Sequence, residues 1–272
     1  MKKLEFSHII IIESLRPDDE LTGTRLFNRA IYPGMKDKGL GNNCELITVT
    51  TKNDFFEILS KIKNEIIALG AFPIIHLEMH GSETGLQVTN YDTITWEELQ
   101  PKLIELNVLC KNNLFLIMAT CSGGYIYNAI SPRYPSPFWG FVGPFEKVNE
   151  DEVLADFTNF YFEFLDSLNL NKAVAALQKQ NTPNASKFKF QNVEFSFQLV
   201  YKNYEKKHLT PERIEERLGE IERECKKSPD FEGWSSRRIR EFAKNIILDE
   251  NLKEKIMSRF FMWDIYPELK DS

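Results

Sequence analysis

Two stretches of this chain end an apolar run in a side chain able to do acid–base or nucleophilic chemistry and then place glycine: PIIHLEMHG at residues 73–81 and LFLIMATCSGG at residues 114–124. A thiolate nucleophile needs a base within hydrogen-bond reach and donors for a developing oxyanion. Glycine directly after His80 and two residues after Cys121 lets the backbone turn and present its amides. Cys121 is therefore the candidate nucleophile and His80 the candidate general base. Cys44 and Cys110, at element ends without such a sequel, read as inert buried thiols. His76, Glu78 and His80 alternate and so share one strand face. Metal binding is the weaker reading of that face, because no fourth ligand is advertised; no metal or organic cofactor is expected. Glu78 suits either an orienting partner for His80 or a buried hydrogen-bonding role, His76 reads as structural, and His8 and His208, with no partner in sequence, read as ordinary residues.

The elements that would hold these residues follow from periodicity. Apolar runs at residues 6–13, 44–50, 73–80 and 114–120 read as strands, the fifth lying at residues 138–142. Helical spacing covers residues 22–31, stopping near Pro33-Gly34, then 54–69, 96–106, a short piece at 125–130, 150–167 and 171–180. A hairpin turning on Asn90-Tyr91-Asp92 links the third strand to the helix opened by Trp96. Such alternation predicts an α/β sandwich: a mostly parallel sheet with helices on both faces, where ligands bind beyond the carboxyl ends of the strands. Phe157, Phe160, Tyr161, Phe164 and Leu168 form a core stripe. Charged, helix-forming sequence then dominates, which divides the chain into a domain at residues 1–185 and an α-helical C-terminal extension at residues 186–272.

The pair His80-Gly81, the hairpin GLQVTNYDTITWEEL after it, the strand ending in Cys121 and the segment FWGFVGPFEKVNEDEVLADFTNFYFEFLDSLNLNKAVAAL together resemble the caspase-like cysteine peptidases, the CHAT family in particular. His80 precedes Cys121 by 41 residues, close to the interval of about 50 in caspases. The resemblance covers about residues 6–180 and implies a caspase-like sandwich and a cysteine endopeptidase acting through an acyl-enzyme. It implies the Gly81 and Cys121 amides as oxyanion donors, a protein or peptide substrate, and an activating or regulatory protein partner of the kind that triggers effectors in bacterial defence or cell death. A catalytically silent scaffold of the same fold is the alternative. In that family the S1 pocket draws on the loop after the first strand and on residues beside the nucleophile, here Arg16, Asp18, Asp19 and Ala119. Ala119-Thr120 stands where caspases carry a glutamine, so a neutral or hydrophobic P1 residue is expected, with Asp18 or Asp19 giving a basic preference as the alternative.

Competing chemistries fit less well. Tyr127 occupies the place of the arginine that a tyrosine phosphatase needs six residues after its cysteine, and a phosphate loop of the GxxxxGK type is absent. A nucleophile elbow would need glycine two residues before the cysteine and a histidine downstream. Among 272 residues, 34 Lys+Arg stand against 40 Asp+Glu, a net charge of −6. No stretch gathers the cations to track a phosphate backbone, so no nucleic-acid partner is expected. Neither is a membrane: the first apolar run, Ile9–Ile12, is too short for a leader or a span. Four cysteines without a CxxC pair fit a reducing, cytoplasmic setting. The sequon Asn184-Ala185-Ser186 would matter only in a secreted chain.

Overall fold

In the computed structural model, which describes residues 4–177, 186–249 and 251–271, the chain divides into two units: Met1–Ile130 with Ser136–Val193, and Ser131–Pro135 with Glu194–Asp271. The first runs β1 (His8–Ser14), α1 (Thr22–Leu26), a π-helical turn Phe27–Ile31, α2 (Tyr32–Asp37), β2 (Cys44–Thr48), α3 (Lys52–Leu69), β3 (Pro73–Ser82), β4 (Gly85–Gln87), β5 (Thr93–Thr95), α4 (Trp96–Leu109), β6 (Phe115–Met118), a 3-10 turn Gly123–Ala129, β7 (Gly140–Pro144), α5 (Glu150–Ser167), α6 (Leu170–Leu177) and β8 (Phe188–Asn192). The sheet order is β2-β1-β3-β6-β7-β8. All neighbours along it are parallel except β7 and β8.

This is the expected α/β arrangement, a mainly parallel sheet flanked by helices. Ile9 to Ile12 are all buried, as a strand covered on both faces requires. On one side α3 packs with α4; α5 packs with α1, α2 and α6. Helix starts are set by local chemistry. Thr51, Thr95 and Asn149 each cap a helix whose third residue, Asp54, Glu98 or Glu152, bonds back to the cap amide. Gly70, at φ 63°, ends α3 in the left-handed region. The stripe on α5 is core from Phe157 to Phe164, but Leu168 caps the helix at φ 50° and is exposed.

Two expectations give way. The helix expected to stop near Pro33-Gly34 continues to Asp37, because Pro33 falls in the first turn of α2, just after the π turn, where its missing amide is tolerated. And the sheet does not end before residue 186: β8 adds an antiparallel edge to β7, with Phe141 opposite Gln191 and Val142 opposite Phe190. Its Phe188 ring lies 4.6 Å from that of Phe157, so the first unit ends at Val193 rather than at residue 185. Asn184 and Ala185 of the sequon, and the end of the helix expected to reach Gln180, lie outside the described residues.

The second unit is helical, as expected of the extension: α7 (Val193–His208), α8 (Pro211–Cys225), α9 (Ser236–Ile247) and α10 (Leu252–Phe260). Leu218, Ala243 and Ile247 form one core cluster, joined by Leu209, Ile214 and Ile221. Phe197 stacks against Tyr201 and meets Phe260 and Phe261. No helix among the described residues is long and apolar enough to cross a membrane.

Candidate active site

Strands β1, β3 and β6 lie side by side and in parallel, so their carboxyl ends open on one edge of the sheet. There Leu15, Asp19, Glu20, Thr22, Glu78 to His80, Ala119 and Cys121, with Val148 to Glu150 and Val153 at the start of α5, line a cavity of about 80 Å³. The two residues singled out for chemistry thus share one cavity. Their backbones meet as well. A Cβ added to Gly81 would stand 2.4 Å from the Cys121 carbonyl oxygen and 2.8 Å from Thr120 Oγ1, a separation that no side chain survives, so glycine is required where the two strand ends touch.

His80 has a defined partner. Its Nε2 lies 2.7 Å from Asp19 Oδ2, and because a carboxylate only accepts, Nε2 carries the proton and Nδ1 is left as the basic nitrogen of the neutral ring. Asp19 is itself pinned by the Arg16 amide, which donates to the same oxygen at 2.7 Å, within a turn closed by Asp19 N donating to Arg16 O at 3.0 Å. Partial burial raises the Asp19 pKa, but the Arg16 amide, then the hydrogen bond and charge of His80, then the Arg16 charge outweigh it, and the carboxyl ends below its ordinary value. The hydrogen-bonded pair is half open to solvent, at 37% and 24% side-chain exposure.

Glu78, which the strand register offered as an orienting group, does not serve His80. Its Oε1 accepts from His76 Nε2 at 2.9 Å and its Oε2 from the Thr22 hydroxyl at 2.7 Å. His76 Nδ1 in turn meets the Tyr161 hydroxyl at 2.9 Å. The geometric reason is that neighbours two apart on one strand face stand parallel; Glu78 reaches back to His76, and His80, beyond the end of β6, turns to the loop after β1. On the adjacent strand Glu13 is paired in register with Glu78 and accepts from the Thr24 amide at 2.9 Å and the Thr24 hydroxyl at 2.7 Å. Two buried carboxylates are thus satisfied by the start of α1, and Gly23 between those threonines is obligatory: its Cβ would lie 2.8 Å from Glu78 Cγ and 2.9 Å from Glu13 Oε1.

Cys121 leaves β6 in a sharp turn. Ser122 adopts φ 56°, its amide donates to Glu146 O at 3.1 Å, and the Gly123 amide donates to Thr120 O at 3.0 Å. Two amides of the turn are thereby spoken for. Gly123 and Gly124 are required by packing: Cβ atoms there would meet Thr120 Oγ1 and Met118 Cβ, or the Phe145 ring and Pro144 O, at 2.6 to 2.9 Å. The Cys121 thiol is half-buried and donates to Val148 O at 3.5 Å. Next to that carbonyl, Lys147 O accepts from Lys187 Nζ at 2.9 Å, which also pairs with Glu152. The ammonium is held above its ordinary range first by Glu152, against partial desolvation, and further by Glu146 and Cys121. By contrast, burial pushes the Cys110 thiol up to about 12, an inert group.

Of the residues proposed for S1, only Asp19 and Ala119 line the cavity. Arg16 is tied elsewhere: Nη2 donates to Gln87 Oε1 at 2.7 Å and the guanidinium sits 4.4 Å from the Tyr91 ring centroid. Asp18 is exposed on the loop. The cavity is bordered by four carboxylates and no lysine or arginine: Asp19, Glu20, Glu78 and Glu150, with Glu20 paired to Arg25.

Comparison with known proteins adds little. No protein-family model matches the chain, and neither does any curated protein. One solved structure that is similar is the X-ray structure of a secreted C11 cysteine protease from Bacteroides thetaiotaomicron in complex with an irreversible peptide inhibitor, at 11% identity and a TM-score of 0.40 over 64% of this chain. The match covers 57% of that protease, so this chain spans little more than half of its length. At that level of likeness nothing of the protease's chemistry transfers.

Proposed function

We propose that this chain is a cysteine endopeptidase with Cys121 as nucleophile and His80 as general base. One observation carries the reading: a histidine whose Nε2 is bonded to a carboxylate shares a cavity with a half-buried cysteine at the end of a neighbouring parallel strand. Asp19 holds the tautomer in which Nδ1 takes the thiol proton, the role of the third member of an acyl-transfer triad. The thiolate adds to the peptide carbonyl. His80 then protonates the leaving amine, and a water activated by the same ring hydrolyses the acyl-enzyme. The amides of Gly81 and Cys121 are assigned to the oxyanion, since those of Ser122 and Gly123 already have acceptors. With Arg16 withdrawn and carboxylates around the cavity, a neutral or basic P1 residue is accommodated and an acidic one repelled.

A catalytically silent scaffold is favoured by one specific contact: the thiol is turned to Val148 O. A thiol-directed electrophile separates the readings. Labelling of Cys121 that falls by about 100-fold in His80→Ala, with peptide hydrolysis lost in Cys121→Ala by a factor on the order of 10⁴ or more, supports the peptidase. Labelling of Cys121 at the same rate in His80→Ala selects the scaffold.

A further inference from the structure

The helical unit contains a second cavity of about 820 Å³, lined by Arg133, Lys206, Lys207, His208, Thr210, Arg213, Glu216, Arg217 and Glu220. It is built locally. Lys206, Lys207 and His208 are the last three residues of α7. Thr210 caps α8, its side chain accepting from the Arg213 amide. Arg213, Glu216, Arg217 and Glu220 then follow at spacings of three and four, which puts them on one face of that helix. Arg133 enters from the loop, whose backbone is fixed by Arg259 Nη1 donating to Arg133 O at 3.3 Å.

Five cationic side chains therefore face two carboxylates in one concavity, an excess of three positive charges. Arg213 is paired with Glu216. Among the described residues, Lys206, Lys207 and Arg217 make no ion pair, although the chain as a whole carries an acidic excess of six. Crowding like charges in a concave site is unfavourable for the free protein and focuses a positive potential into the cavity. The imidazole of His208 registers that field: burial first, then Arg133, Arg217, Lys207 and Arg213, hold its pKa below the ordinary value. The first turn of α8 adds the partial positive charge of its amides.

We infer that this cavity binds a small molecule carrying a chain of two or more phosphates, with the guanidinium groups of Arg213, Arg217 and Arg133 and the ammonium groups of Lys206 and Lys207 on the phosphate oxygens. Planar guanidinium donors match phosphate oxygens in pairs, and the volume lies within the range of about 300 to 1,000 Å³ usual for small-molecule sites. A charge excess of three calls for a triphosphate-sized anion rather than a single phosphate. Calorimetry on the whole chain with inorganic triphosphate is the test. Saturable one-to-one binding, weakened about tenfold or more both by Arg213→Gln with Arg217→Gln and by Lys206→Gln with Lys207→Gln, is the expected result. Circular dichroism checks that each variant keeps its helices. ATP titrated in parallel identifies the source of the phosphates: equal affinity points to a free oligophosphate, tighter binding of ATP to a nucleotide. Absence of saturable heat at millimolar triphosphate, sulfate binding as tightly, affinity unchanged in both folded double variants, or preference for a single-stranded oligonucleotide would each overturn the assignment.

Discussion

The two cavities carry opposite charge and dispose of it in opposite ways. Around the Cys121 cavity three of the four carboxylates have internal partners: Asp19 takes His80 and the Arg16 amide, Glu78 takes His76 and Thr22, and Glu20 takes Arg25. Around the basic cavity Lys206, Lys207 and Arg217 have none among the described residues. Charge consumed inside the protein fixes geometry, which is what a reaction between two side chains needs. Charge left unconsumed awaits a counterion. Construction differs too: the first cavity assembles from strand ends far apart in sequence, the second largely from one helix–turn–helix.

The sharpest way to break this contrast is Asp19→Asn. An amide can offer its N–H to His80 and favour the wrong tautomer, so peptide hydrolysis should fall by a factor on the order of 10³ or more, with triphosphate binding unchanged. Equal hydrolysis by wild type and variant would remove Asp19 from the site. Glu78→Gln tests the neighbouring carboxylate. Breaking its buried pair with His76 should destabilise the fold by about 3 kcal/mol in chemical denaturation while hydrolysis by the folded fraction changes less than about tenfold. A loss of activity matching that of Asp19→Asn would show that the two carboxylates act on the same ring.

Salt sharpens the comparison at a smaller scale. Raising ionic strength from about 50 to 200 mM should weaken triphosphate binding roughly tenfold, whereas KM for an uncharged peptide stays within about twofold. The smallest effect expected is in acid. Because the folded pKa of Asp19 lies below its ordinary value of 3.8, its contribution to stability is complete above that pH and disappears as pH falls through the folded value. The stability gap between wild type and Asp19→Asn in chemical denaturation should therefore be constant from neutrality to about pH 4 and close below it, its size limited to about 1 kcal/mol by solvent exposure. A gap that widens on acidification would contradict the assignment.

What the sequence made legible was local or periodic. The parallel strands, the helices expected over residues 54–69, 96–106 and 150–167, and the two strand ends bearing His80 and Cys121 all follow from patterns within about 20 residues. What it hid depended on neighbours in space. Asp19 stood out only as one of several loop carboxylates, since its bond to His80 requires knowing that β1 lies beside β3. In the run FKFQN, β8 shows a charged residue between two aromatics and reads as the start of the charged extension. The basic cavity leaves no signature in the sequence because Arg133 is more than 70 residues from Lys206, and because alternation with Glu216 and Glu220 gives α8 the pattern of an ordinary solvated face.

The edge strand β8 has a consequence for how the chain emerges during synthesis. Until residue 192 has left the ribosome, β7 presents an unpaired backbone edge beside Phe141 and Val142, the kind of template on which nascent chains pair with one another. At roughly 5 to 20 residues per second, the 48 residues from Phe145 to Asn192 keep that edge bare for a few seconds. A chain terminated at residue 185 never covers it. Such a product should be found in inclusion bodies, whereas one ending after Val193 completes the sheet.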